Sequence, residues 1–142
     1  DLLYEASRAG VKVDLIVRGS CGLRPGVPGV SDNIRVVSII GRFLEHSRVY
    51  WFANDGEPET YCSSADWLER NLLRRIETCF PILDPVLARR VYEEEIENYL
   101  ADNTQAWEMD GDGDYRRKRS RKKGFSAQSA LLAELSLAAP PA

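Results

Sequence analysis

The chain has 142 residues, 44% hydrophobic and 29% charged, with a formal net charge of −3. That is an ordinary globular balance, with enough chain for one packed domain. The charge gives no whole-chain argument for nucleic acid, and no apolar run approaches the roughly 18 residues of a membrane span. Charge is unevenly placed, with acidic residues gathered in 93–114 and basic ones in 116–123. Cys21, Cys62 and Cys79 are odd in number and lack CxxC spacing, which favours free thiols in a reducing compartment over a disulfide framework or zinc site. The sequence begins without methionine inside a helical pattern, and a fragment of a longer polypeptide is expected.

In chain order, Leu2, Leu3, Ala6 and Ala9 fall at helical spacing, and Gly10 is a helix stop. Residues 11–17, VKVDLIV, read as a strand of the kind buried in an α/β sheet. Arg18 follows at the strand's carboxyl end, where open α/β sheets bind ligands; it either meets an anion or is a surface charge. Residues 21–29 are too rich in Gly and Pro for regular structure. SDNIRVVSII, 31–40, reads as a turn and a strand. Gly41 within an apolar pattern marks a bulge or a close backbone approach.

Residues 43–77 carry the chain's one histidine. His46 and Arg48 alternate with Ser47 and Val49, so on a strand both face one side. An apolar run, 49–53, is followed by a turn-like NDGEP. YCSSADWLERN then reads as a strand end leading into a basic loop or helix start. If the two strands pair, Ser63, Ser64 and Asp66 close beside His46. This layout suits phosphate chemistry. An imidazole can attack phosphorus or donate a proton near neutral pH. Arginines clamp non-bridging oxygens, and a carboxylate fixes the imidazole's tautomer. The alternative is a half-buried strand histidine beside a solvated basic face.

Residues 76–82 read as a further short strand. Asp84-Pro85 reads as a helix N-cap with proline at the first position, opening a helix to about Ala101. Val86, Leu87, Val91, Ile96 and Leu100 form its apolar side, and Glu93, Glu94, Glu95 and Glu97 a solvated face. DGDGD, 110–114, lacks the terminal glutamate of a calcium loop, since position 121 is Arg, and reads as a turn. RRKRSRKK, 116–123, is a nucleic-acid-like patch or a flexible basic segment. SAQSALLAELSL, 126–137, reads as a final helix capped by Ser126, before a frayed AAPPA end.

VRG, the PGVPG loop, NIRV, FLEHSR and SADWLERN occur in an order and spacing that closely resemble the C-terminal region of bacterial long-chain polyphosphate kinases. The resemblance runs from about Leu2 to Pro85 and returns at SAQSALL. It implies a phospholipase D-like α/β fold with a mixed, largely parallel sheet flanked by helices. Residues 1–115 would form the catalytic domain, 116–124 a basic segment, and 125–142 a terminal helix and tail. His46–Arg48 is similar to that superfamily's HxK, and Ser64-Ala-Asp66 to its GSxN. Glu77 falls where it places the histidine-orienting carboxylate. Its aspartate seven residues after the histidine is Ala53 here, which argues against lipid-type hydrolysis.

The resemblance implies reversible transfer of the γ-phosphoryl of ATP to polyphosphate through a phosphohistidine. The phosphorylated histidine and the Mg²⁺ contacts would lie upstream, in preceding domains of the same polypeptide. His46 would be acid–base partner or phosphate ligand, and Arg18 a nucleotide-phosphate contact. The phosphate-site chemistry adds Arg48, Ser64, Asp66, Arg70, Asn71 and Arg75 as ATP or phosphate contacts. Expected partners are ATP, ADP and polyphosphate, in a homo-oligomer that is cytoplasmic or peripheral to the inner membrane, with no nucleic acid. The isolated fragment is expected to be inactive. The alternatives are a phospholipase D-like phosphodiesterase or nuclease, and a non-catalytic module binding anionic chains through residues 116–123.

Overall fold

Two compact units make up the structure, a computed structural model that describes residues 1–138. One is built from Asp1–Glu45 together with the chain from Tyr99, and the other is His46–Asn98.

In the first unit, helix α1 (Leu2–Arg8) ends as its glycine requires. Gly10 takes φ 88°, while Gly10 N–H donates to Ser7 O and Val11 N–H to Ala6 O, the paired bonds of a Schellman closure. Strand β1 (Val13–Ile16) runs parallel to β2 (Ile34–Ile39). Strand β6 (Ala106–Met109) lies antiparallel on the other side of β2, and β7 (Tyr115–Arg117) antiparallel to β6. The core gathers Val37, Ile39, Tyr99, Ala106 and Ala127, with Ile16, Leu100, Phe125 and Leu131 around them.

Buried Asp102 ties this core together. Its Oδ1 accepts from Thr104 N–H and Gln105 N–H, and its Oδ2 from Ala127 N–H at the start of helix α5 (Ala127–Ala138). The frayed end expected after this helix lies, beyond Ala138, outside the described residues.

In the second unit, β3 (Val49–Phe52), β4 (Glu59–Ser63) and β5 (Cys79–Pro81) form an antiparallel sheet. The NDG turn joins β3 to β4, with positive φ at Asn54, Asp55 and Gly56. Helix α2 (Glu69–Arg74) follows β4. Asp84 then caps helix α3 (Pro85–Tyr92) by accepting from Val86 N–H at 2.8 Å and Leu87 N–H at 3.0 Å. The helix widens into a π segment at Glu93–Glu97 and continues as α4 (Asn98–Ala101), which belongs to the first unit from Tyr99 on.

The mixed α/β class with flanking helices stands, but its sheets are not largely parallel. Among the described residues, β1 with β2 is the one parallel pairing of five. β1 is half-buried along its length rather than buried, because it pairs with β2 alone among these strands. The buried strand is β2. The strand expected over 76–82 shortens to β5, which is exposed. The first turn of α3 leaves Val86 and Leu87 exposed, while Glu93 and Glu94 pair with Arg89 and Arg90 one turn before them. The 116–123 segment is in part a strand. All three cysteines are free. Among the described residues, no helix is long and apolar enough to cross a membrane.

Candidate functional site

His46 and Arg48 lie in the extended segment leading into β3 rather than on the strand itself. The ladder nevertheless reaches them, since Ser63 N–H donates to Arg48 O at 2.8 Å. This brings the end of β4, and the Ser64–Asp66 turn after it, beside Arg48.

Arg48 is the hub. Its Nε and Nη2 both donate to Asp66 Oδ1, at 3.0 and 2.7 Å. Its Nη1 donates to His46 O at 2.6 Å and lies 2.9 Å from His46 Nδ1 and 3.4 Å from Nε2. With both ring nitrogens within 3.4 Å, Nη1 sits against the face of the imidazole rather than on the in-plane lone pair of either nitrogen. His46 is exposed and Arg48 largely buried, so the ring rests on a fixed cation.

A second set of bonds centres on Glu77. Ser64 Oγ–H donates to Glu77 Oε2 at 2.5 Å, and Asn71 Nδ2 to Oε1 at 3.0 Å. Arg75 Nε lies 3.5 Å from Oε1. Ser64 Oγ in turn accepts from Thr78 N–H at 3.0 Å. The Ser64 bond, above all, holds the Glu77 carboxyl below the usual carboxylate range. Partial burial opposes this, and the Asn71 bond and the charges of Arg75 and Arg48 add to it.

Glu77 was expected to orient the imidazole. Its hydrogen bonds go instead to Ser64 and Asn71, and the ring's contact is with Arg48. The reason is local: Ser64, in the turn before α2, and Asn71, on α2, both bond the carboxylate. Arg48, positioned by Asp66, lies against the ring.

Seven of the sequence-derived residues thus come together in this unit: His46, Arg48, Ser64, Asp66, Asn71, Arg75 and Glu77. Arg70 is exposed on α2 and makes none of these bonds. Arg18 belongs to the first unit, where its Nη1 donates to Glu45 O at 2.5 Å. There Glu45 also accepts from Tyr99 Oη–H at 2.8 Å and from Gln128 Nε2.

Sequence reasoning missed the aromatic wall beside the Glu77 cluster. Tyr50 and Trp67 stack with ring centroids 5.7 Å apart, and Trp67 Nε1–H donates to Tyr50 Oη at 2.9 Å. They border a cavity of about 330 Å³ shared with Asn71, Arg75, Glu77 and Cys79. The signal was present in the tryptophan that directly follows Asp66. Among the described residues, no group of three or more His, Cys, Asp or Glu side chains is disposed to hold a metal ion.

The family described as polyphosphate kinase C-terminal domain 2 matches residues 1–128. A polyphosphate kinase of Xylella fastidiosa (strain Temecula1) is 64% identical over 135 residues, covering 94% of this chain and 19% of that protein. One of Burkholderia multivorans is 59% identical over 132 residues, covering 93% of this chain and 19% of that protein. The crystal structure of polyphosphate kinase from Porphyromonas gingivalis superposes with a TM-score of 0.89 at 44% identity, over 96% of this chain and 21% of that one. The chain thus spans about a fifth of the length of the relatives it matches. It belongs to the polyphosphate kinase C-terminal domain 2 family.

Proposed function

We propose that this chain supplies one wall of the phosphoryl-transfer site of a polyphosphate kinase. In the reaction, the bond between the β–γ bridging oxygen and the γ-phosphorus of ATP breaks. A histidine nitrogen elsewhere in the polypeptide takes the phosphoryl group, and ADP leaves. A terminal oxygen of polyphosphate then attacks the phosphorus and the N–P bond breaks. Each step also runs in reverse.

The observation that carries this reading is the Arg48 hub, which holds the exposed imidazole of His46 against a fixed guanidinium. An imidazole N–H so placed can hold a phosphoryl oxygen or protonate the leaving oxygen. Arg48 adds fixed positive charge, which opposes the charge developing on the transferred group. Ser64, Asp66, Asn71 and Glu77 act in this scheme by holding Arg48, Arg75 and the turn in place. Arg18 and Arg70 are assigned to the phosphates of the nucleotide, and Arg75 to those at the cavity mouth. Magnesium is assigned to residues outside this chain, as is the nucleophile.

Incubating the isolated chain with ATP and magnesium tests the assignment of the nucleophile. No acid-labile phosphate should form on the protein. Stoichiometric phosphate on His46 would overturn the reading. In a full-length kinase carrying this region, His46→Ala should lower kcat by about 10²–10⁴, the usual range for a lost general acid. Unchanged turnover would remove His46 from the chemistry.

A further inference from the structure

Seven of the eight residues 116–123 are basic, all but Ser120, in a chain of net charge −3. The structure divides them into two groups. Arg116, Arg117 and Lys118 serve the fold. Arg116 pairs with Asp110 at 3.2 Å, and Arg117 donates twice to Thr104 O. Lys118 Nζ donates to the carbonyls of Leu100 and Asp102, at 3.1 and 2.9 Å.

Arg119, Arg121, Lys122 and Lys123 do something else. All four are exposed, and among the described residues none forms an ion pair. Yet the loop bearing them is pinned at both ends. Lys118 N–H donates to Ala106 O, and Asn103 Nδ2 to Lys123 O at 3.1 Å. Asn103 and Phe125 then exchange bonds, Asn103 N–H to Phe125 O and Phe125 N–H to Asn103 Oδ1. Lys122 N–H closes a local turn on Ser120 Oγ. A merely solvated basic tail needs no such anchoring. An anchored loop has already lost backbone entropy, so a polyanion landing on it costs less to bind.

From this arrangement we infer that residues 119–123 form a docking surface for a long linear polyanion, and that its occupant is inorganic polyphosphate. Recognition is by the density of charge along the chain, higher in polyphosphate, where phosphate is joined to phosphate, than in a nucleic acid, where a sugar separates them. Residues 116–124 contain no aromatic side chain on which bases could stack, the feature that single-strand nucleic-acid surfaces combine with their cations. The flanking Tyr115 and Phe125 are partly buried. The choice of polyphosphate rests on the proposed function above. The surface is separate from the His46 cluster in sequence and lies in the other compact unit.

The test measures binding of long-chain inorganic polyphosphate to the whole chain across a salt series. The comparison is with the combined variant Arg119→Ala, Arg121→Ala, Lys122→Ala and Lys123→Ala. Each phosphate contact contributes a slope of about −0.7 in log affinity against log salt for a flexible single strand, so removing four should flatten the slope by about 2.8. Wild-type binding should also lose about 50-fold more than the variant between about 50 and 200 mM salt. Arg74→Ala, which removes an exposed cation paired with Glu69 in the other unit, should keep the wild-type slope; the readout involves no turnover, so failure of the catalytic reading leaves this result standing. An unchanged slope in a folded combined variant would overturn the inference. So would single-stranded DNA that displaces polyphosphate equally, phosphate for phosphate.

Discussion

Removing Arg48 and Asp66 singly and together measures the bond on which the His46 geometry depends. The Arg48 side chain is 16% exposed and that of Asp66 29%, and two N–H groups converge on one carboxylate oxygen. A fully exposed ion pair couples by about 0.2–1 kcal/mol. A hydrogen bond to a charged group, shielded from water, is worth about 1.5–3 kcal/mol. Partial shielding of both partners places the expected coupling between these limits, at about 1.5 kcal/mol. The assay is urea unfolding of wild type, Arg48→Ala, Asp66→Ala and the double variant, with free energies from linear extrapolation. The cycle cancels whatever else either side chain touches. Arg48→Lys should recover only part of the loss, because an ammonium cannot make the two-pronged contact. A coupling below about 0.5 kcal/mol would place the pair among ordinary surface contacts and refute the hub.

Two further perturbations probe each unit by itself. Gly41→Ala would push a Cβ into Gln128 Oε1 and to 2.7 Å from Gln105 Oε1; thermal unfolding should show a loss of about 1–3 kcal/mol, toward the lower end if the glutamine side chains yield. The Glu77 carboxyl is held below its unfolded value, so its bonds stabilise the fold at neutral pH. That stability should persist above the unfolded carboxylate range and be lost as pH falls through the lower, folded value. Glu77→Gln should therefore unfold more easily than wild type at neutral pH, and the gap should close in acid when denaturation is followed across pH.

Much of the fold was legible because local rules and tertiary packing agree. Gly10, the Asp84-Pro85 cap, the NDG turn and the DGDGD turn each sit where their backbone chemistry demands. In the last, Asp110 Oδ1 accepts from Asp112 and Asp114 N–H, and Gly113 takes φ 91°. Gly41 was readable as a close approach, and Gln128 is what approaches it. The β6–β7 hairpin was not legible. Trp107, Glu108 and Met109 are short and half-buried, and β7 is written in arginines that look like solvated charge. What makes 115–117 a strand is pairing with β6 and the Thr104 carbonyl, which no local pattern records.

The site divides in the same way. Motif spacing brought His46, Arg48, Ser64, Asp66, Asn71 and Glu77 into one list. It could not say which carboxylate serves which base. Asp66 reaches Arg48 because the β3–β4 pairing sets Ser63 against Arg48, while Asn71 and Ser64 claim Glu77 across α2. Such choices depend on side-chain reach in three dimensions.

Nitrogen-15 NMR of His46, the chain's one histidine, reads the central feature without ambiguity. Added inorganic triphosphate should move the ring nitrogens in the wild type, and move them less in Arg48→Ala, where the cation beside the ring is gone. Ring nitrogens that stay unmoved, or that move equally in the variant, would mean that His46 and Arg48 share no phosphate contact.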